Sequence, residues 1–130
     1  MTRRLARELA LQTLYSIEIG HHEPAAALDA TLEGPQESTH RAFVRDLVLG
    51  TLEHSDESDA LIAPLLQGWT LDRLPTIDRL VLRMSVYEMT YHHETPRAVV
   101  LNEAVELAKK FSTDDSGRYV NGVLASTEVR

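Results

Sequence analysis

Apolar residues recur along this chain at intervals of three and four and nowhere alternate strictly with polar ones. The pattern therefore predicts helices and no strands. The first helix covers about residues 3–19. Leu5, Ala6, Leu9, Ala10, Leu14 and Ile17 fall on one broad arc, which is its expected core face. Arg4, Arg7, Leu11 and Tyr15 fall together on the other side. Gly20 stands where a C-cap glycine stands, and His21-His22-Glu23-Pro24 reads as a loop. A short helix at about 25–32 is expected to stop at Gly34-Pro35.

The next helix, about 38–53, carries Phe43, Val44, Leu47, Val48 and Leu52 as its apolar stripe. Another, about 57–67, carries Leu61, Ile62, Leu65 and Leu66, with Pro64 expected to bend it or shift its start. Gly68-Trp69-Thr70-Leu71 reads as a turn anchored by the only tryptophan. The segment at about 76–92 is apolar on two sides: Ile77, Leu80, Met84, Tyr87 and Tyr91 on one, Leu82, Val86 and Met89 on the other. Such a helix is expected at the centre, with neighbours on both faces. Between them lie two polar wedges, Arg79/Arg83/Thr90 and Asp78/Ser85/Glu88/His92.

Thr95-Pro96 reads as an N-cap followed by an N1 proline. The helix behind it runs to Phe111, burying Val100, Ala104, Leu107, Ala108 and Phe111 and placing Lys109-Lys110 at its C-terminal dipole. Ser112-Thr113-Asp114-Asp115 has the spacing of a capping box and opens a last helix, about 114–127, that packs Val120, Val123 and Leu124. Gly122 inside it is expected to admit a close helix neighbour; otherwise it weakens the helix by about 1 kcal/mol. The expected fold is all-α, a compact bundle of about seven helices in one domain over residues 1–130, arranged as two sub-bundles on one spine.

Composition narrows the chemistry. No apolar run approaches the roughly 20 residues of a membrane span, no secretory h-region is evident, and there are no cysteines. A cytoplasmic protein is expected. The net charge is −7, yet the first fifteen residues carry three arginines against one glutamate. An acidic chain does not attract nucleic acid by its bulk field, so any such contact is local.

Arg3, Arg4 and Arg7 with Tyr15 form the best candidate site, because guanidinium groups pair with phosphate and an aromatic ring accepts an unpaired base. Cations at a helix N-terminus also oppose the macrodipole, which argues for a partner. Arg118, Tyr119 and Asn121 open the last helix, where Tyr119 reads equally well as half-buried packing. The adjacent pairs His21-His22 and His92-His93 point to different helix faces and have no ligand spacing around them, so no metal or other cofactor is expected. No phosphate-binding loop, dinucleotide fingerprint or nucleophile elbow occurs, and an enzyme is not expected.

Six blocks, in order, carry a resemblance. They are Arg3-Arg4-x-Ala6-Arg7-Glu8 with Gln12-x-Leu14-Tyr15; Phe43-Val44-Arg45-Asp46-Leu47-Val48-x-Gly50; Gly68-Trp69 with Arg73-Leu74; Asp78-Arg79-x-x-Leu82-Arg83 with Tyr87-Glu88; Asn102 to Phe111; and Tyr119 to Leu124. In these the chain resembles the bacterial transcription antitermination factor family NusB over nearly its whole length. The resemblance implies two three-helix sub-bundles and no catalysis. It implies binding, with ribosomal protein NusE, to the single-stranded boxA element of ribosomal RNA leader transcripts within the RNA polymerase antitermination complex. By motif, the RNA side would be Arg3, Arg4, Arg7, Gln12 and Tyr15, joined by Asp115, Tyr119 and Asn121 from the last helix. The partner side would draw on Asp78, Arg83, Tyr87 and Glu88. A helical scaffold that binds only protein, including as a homodimer, is the alternative.

Overall fold

The computed structural model describes residues 2–33 and 38–129, so the expected stop at Gly34-Pro35 lies outside the described residues. The described residues form α1 (Arg3–Gly20), α2 (Pro24–Thr31), α3 (Ser38–Glu53), α4 (Ser55–Ile62), α5 (Thr76–Tyr91), α6 (Arg97–Phe111) and α7 (Asp114–Ala125), with no strand among them. Helices α1, α2 and α3 pack as one group and α5, α6 and α7 as another, while α4 lies against α5. Helix α5 also touches α1 and α3, so it is the spine shared by both groups. Leu80, Val81, Leu82, Met84, Val86, Tyr87 and Met89 are all buried along it, as a helix apolar on two faces requires. The second polar wedge is inside too: Asp78, Ser85 and Glu88 are buried.

Helix α1 departs from its expected orientation. Ala6, Ala10 and Leu14 are buried as expected, but Leu5 is 43% exposed, whereas Arg7 and Leu11 are 4% and 0% exposed. The helix packs against α2, α3 and α5 together, so the buried arc is turned toward Arg7 and Leu11. A periodicity count cannot place an arginine inside, because its burial depends on a carboxylate from another helix.

The ends of several helices also shift for local reasons. Thr2 caps α1, its hydroxyl accepting from the Leu5 N–H at 3.0 Å. Gly20 is the last helical residue, and His21 takes the left-handed conformation with φ 56°. A Cβ on Gly20 would meet only the ring of His22, an exposed side chain two residues on. Pro64 ends α4 early: the chain tightens into a 3-10 turn over Ala63–Leu65. Pro96, not Thr95, occupies the N-cap of α6 and offers no side-chain cap. The cap of α7 lies one residue on from the expected box, with Thr113 accepting from the Ser116 N–H at 3.0 Å.

Two glycines exchange roles. Nothing lies within 4 Å of a Cβ built on Gly122, so no helix approaches it. The close approach is at Gly50 of α3, where a Cβ would overlap the Tyr87 ring of α5. Trp69 does not anchor its turn; after Gly68, at φ 77°, its side chain is 52% exposed.

Candidate nucleic-acid interface

The capped first turn of α1 projects its arginines in three directions. Arg3 lies over the Phe43 ring, 3.8 Å from the centroid, a cation–π contact that leaves its residue exposed. Arg4 reaches α6, where its Nε donates to both Glu103 carboxylate oxygens at 3.3 and 3.0 Å. That pair has one exposed partner, and such pairs hold weakly in water. Arg7 turns inward and donates to Glu88 through Nε at 2.8 Å and Nη2 at 2.5 Å. Burial works against its charge, but the Glu88 hydrogen bonds and charge, with Glu103 beyond, raise its pKa from the ordinary value. Arg7, expected on the RNA side, is thus buried and paired within the helix-to-helix framework.

Beyond Arg4, α1 and α6 enclose a small trench where Lys110 donates to Glu8 at 2.7 Å. Lys110 also lies 5.6 Å from the centroid of Phe111. Phe111, with Ile77, floors a second depression walled by Gln12 and Tyr15, both exposed. One turn later the chain enters α7, where Asp115 is exposed and paired with Arg118, Tyr119 is half-buried, and Asn121 is exposed. Thr113, Asp115 and Tyr119 line a third depression. Gln12 and Tyr15 of α1 thus meet the C-terminal end of α6 at Phe111, Arg4 meets α6 about two turns earlier at Glu103, and Asp115 and Tyr119 line a separate depression at the start of α7. Lys110, Phe111, Ile77 and Trp69 also line these depressions and were read from sequence as dipole, core and turn residues. The adjacent basic and aromatic pair Lys110-Phe111 was the available signal.

The residues expected on the partner side are internal. The Asp78 Oδ2 accepts from Ser116 at 2.9 Å, and Asp78 is 4% exposed. Glu88 is 1% exposed under Arg7. The Tyr87 hydroxyl donates to both Asp46 carboxylate oxygens at 3.0 and 3.1 Å, and burial followed by that carboxylate pushes its pKa well up. Arg83 grips Asp59 in a fork at 2.7 and 2.8 Å, with Glu18 3.8 Å away. Of the set expected on the partner side, three of the four members are buried in the single chain and the fourth is paired with Asp59 of α4.

At the far end of α5, His92 sits between Asp46 and Glu94. Burial opposes its charge, but both carboxylates accept from it, and its pKa is raised. Among the described residues no group of three or more His, Asp or Glu side chains is placed to hold a metal ion.

The profile of the NusB family matches residues 4–128. The chain is 47% identical over 128 residues to the transcription antitermination protein NusB of Desulforamulus reducens, covering 95% of this chain and 87% of that protein. NusB of T. maritima has the same fold, with a TM-score of 0.90 at 31% identity over 96% of this chain and 89% of that one. A chain in a crystal structure of the antitermination factors NusB and NusE in complex with double-stranded RNA aligns with a TM-score of 0.85. Its identity is 27%, over 97% of this chain and 96% of that one.

Proposed function

The chain belongs to the NusB family of transcription antitermination proteins, and from that premise we propose that it binds the single-stranded boxA element of ribosomal RNA leader transcripts together with ribosomal protein NusE. The observation that supports the RNA contact is the set of depressions beside α1, α6 and the start of α7. Lys110 stands against Phe111, which shares one of them with the exposed Tyr15; Arg3 and Arg4 are exposed on the first turn of α1, and the half-buried Tyr119 lines another. Phosphates meet the cations and unpaired bases meet the rings. Gln12, Asp115 and Asn121 add exposed polar groups on α1 and α7. The solved assembly of a relative with NusE and RNA supports the pairing.

The role is one of binding and needs no cofactor. The titratable side chains of the interior hold helices together: Arg7 with Glu88, Arg83 with Asp59, and Asp78 with Ser116. Its link to RNA polymerase runs through the RNA-bound complex, and residues 1–130 act as one domain. Among the described residues no helix is long and apolar enough to cross a membrane, and a factor acting on nascent transcripts works in the cytoplasm. An acidic body with net charge −7 suits a basic ribosomal protein.

The test is fluorescence anisotropy of a labelled boxA RNA titrated with this protein alone and then with NusE present. Salt-sensitive binding that tightens with NusE is the expected result. Absence of binding under both conditions would move the function to a protein scaffold, and sedimentation of the chain alone then tests for a homodimer.

A further inference from the structure

Arg4 and Lys110, two of the cations on which the RNA reading relies, are both occupied in the free chain. Arg4 of α1 holds Glu103 of α6 at 3.0 Å. Lys110 of α6 holds Glu8 of α1 at 2.7 Å. The two pairs run in opposite senses across the same seam, each helix supplying one cation and one carboxylate. In both, the cation ends largely in water while the carboxylate is mostly shielded from it.

The trench between these side chains has a volume of about 150 Å3. Its charged lining sets Arg4, Arg7 and Lys110 against Glu8, Glu103 and Glu106. Three cations against three carboxylates leave no net charge with which to draw in a polyanion. A phosphate that reaches Arg4 or Lys110 must take the place of a carboxylate already there. Glu103 also lies 4.0 Å from Arg7 Nη1, so it keeps a cation when Arg4 leaves. The helices do not depend on the pairs: α1 packs on α2, α3 and α5, and α6 on α5 and α7. An ion pair with an exposed member holds by a small margin, and phosphate offers the guanidinium a charge-assisted bond in return.

We propose that Glu103 and Glu8 are intramolecular competitors of RNA phosphate, each holding back one cation until a strand displaces it. The inference rests on the RNA-binding reading above and adds two residues that set affinity by opposing it. Neither carboxylate touches the strand; each acts through the cation it occupies.

The experiment is anisotropy of a labelled boxA RNA with NusE present, run as a double-mutant cycle on each pair. Glu103→Gln and Glu8→Gln keep the size of the side chain and remove its charge. Each is expected to tighten RNA binding by about two- to fivefold. Loss of any carboxylate also lowers the general repulsion of a polyanion. Glu106→Gln, exposed in the same trench and without an ion pair among the described residues, measures that background. In the Arg4→Ala chain the gain from Glu103→Gln falls to the background, and in the Lys110→Ala chain the gain from Glu8→Gln does the same. The two cycles are independent, so a variant that fails to fold in one leaves the other to decide. Gains no larger than that of Glu106→Gln, or undiminished without Arg4 and Lys110, overturn the competition and leave the RNA reading intact. Anisotropy that rises with neither the parent nor any variant defeats the RNA reading itself, and the competition with it.

Discussion

Arg7 of α1 holds Glu88 of α5 by two hydrogen bonds, at 2.8 and 2.5 Å, with both side chains almost wholly out of water. This pair ties the first helix to the spine across 81 residues of sequence. It is also why only two of the three clustered arginines face solvent. A buried ion pair is expensive to desolvate, so its strength shows when one member is removed.

Arg7→Ala should therefore cost about 3–5 kcal/mol of stability, and Glu88→Ala a similar amount, each read by urea unfolding. Replacing both with apolar residues of like volume should restore most of it. If Arg7→Ala unfolds like the parent and loses only RNA affinity, the pair is not structural.

Arg3→Ala and Arg4→Ala should weaken RNA binding and leave the melting temperature where it was, because both side chains end in solvent. With Arg3, Arg4 and Lys110 each meeting a phosphate, the log–log salt slope for a single strand should be about −2. A flat salt dependence would remove phosphate from the account of these side chains.

Gly50→Ala should destabilise by about 1–3 kcal/mol through overpacking, since the added methyl overlaps a Tyr87 ring held by its own bond to Asp46. Gly122→Ala should do the reverse and stabilise by about 0.4–1 kcal/mol, because that position is exposed, helical and open. Thermal melts of the two variants check both signs, and the same sign for both would refute the contrast.

His92 makes stability depend on pH. Its folded pKa lies above the ordinary 6.5: burial lowers it, but the Asp46 and Glu94 hydrogen bonds outweigh that. A raised pKa means that the folded state holds the proton more tightly than the unfolded state. The stabilisation is thus complete below pH 6.5 and disappears as pH rises through the folded value. His92→Gln should narrow its stability gap to the parent across that window. A gap that is constant from acid to alkaline pH would exclude this protonation.

Much of the framework is legible in the chain itself. The intervals of three and four locate every helix, and the doubly apolar stretch of α5 identifies the spine. Leu107 and Val120 are buried where periodicity puts them. Local chemistry settles these features: backbone hydrogen bonding within a segment, one proline, one apolar face. The ion pairs are not of this kind. Whether Arg7, Asp78 or Glu88 is outside or inside depends on which side chain another helix presents, and a single sequence does not state the pairing.

The same division runs through the candidate site. The sequence alone determined the helical class, the basic first turn and the aromatic residues near both ends. Only the tertiary structure decided that Tyr15 meets the end of α6 at Phe111, that Arg7 is withdrawn into the core, and that Trp69 faces outward. The physical reason is range. Hydrophobic periodicity acts within a few turns of one helix, whereas the burial of a charge is determined by partners that folding brings from far along the chain.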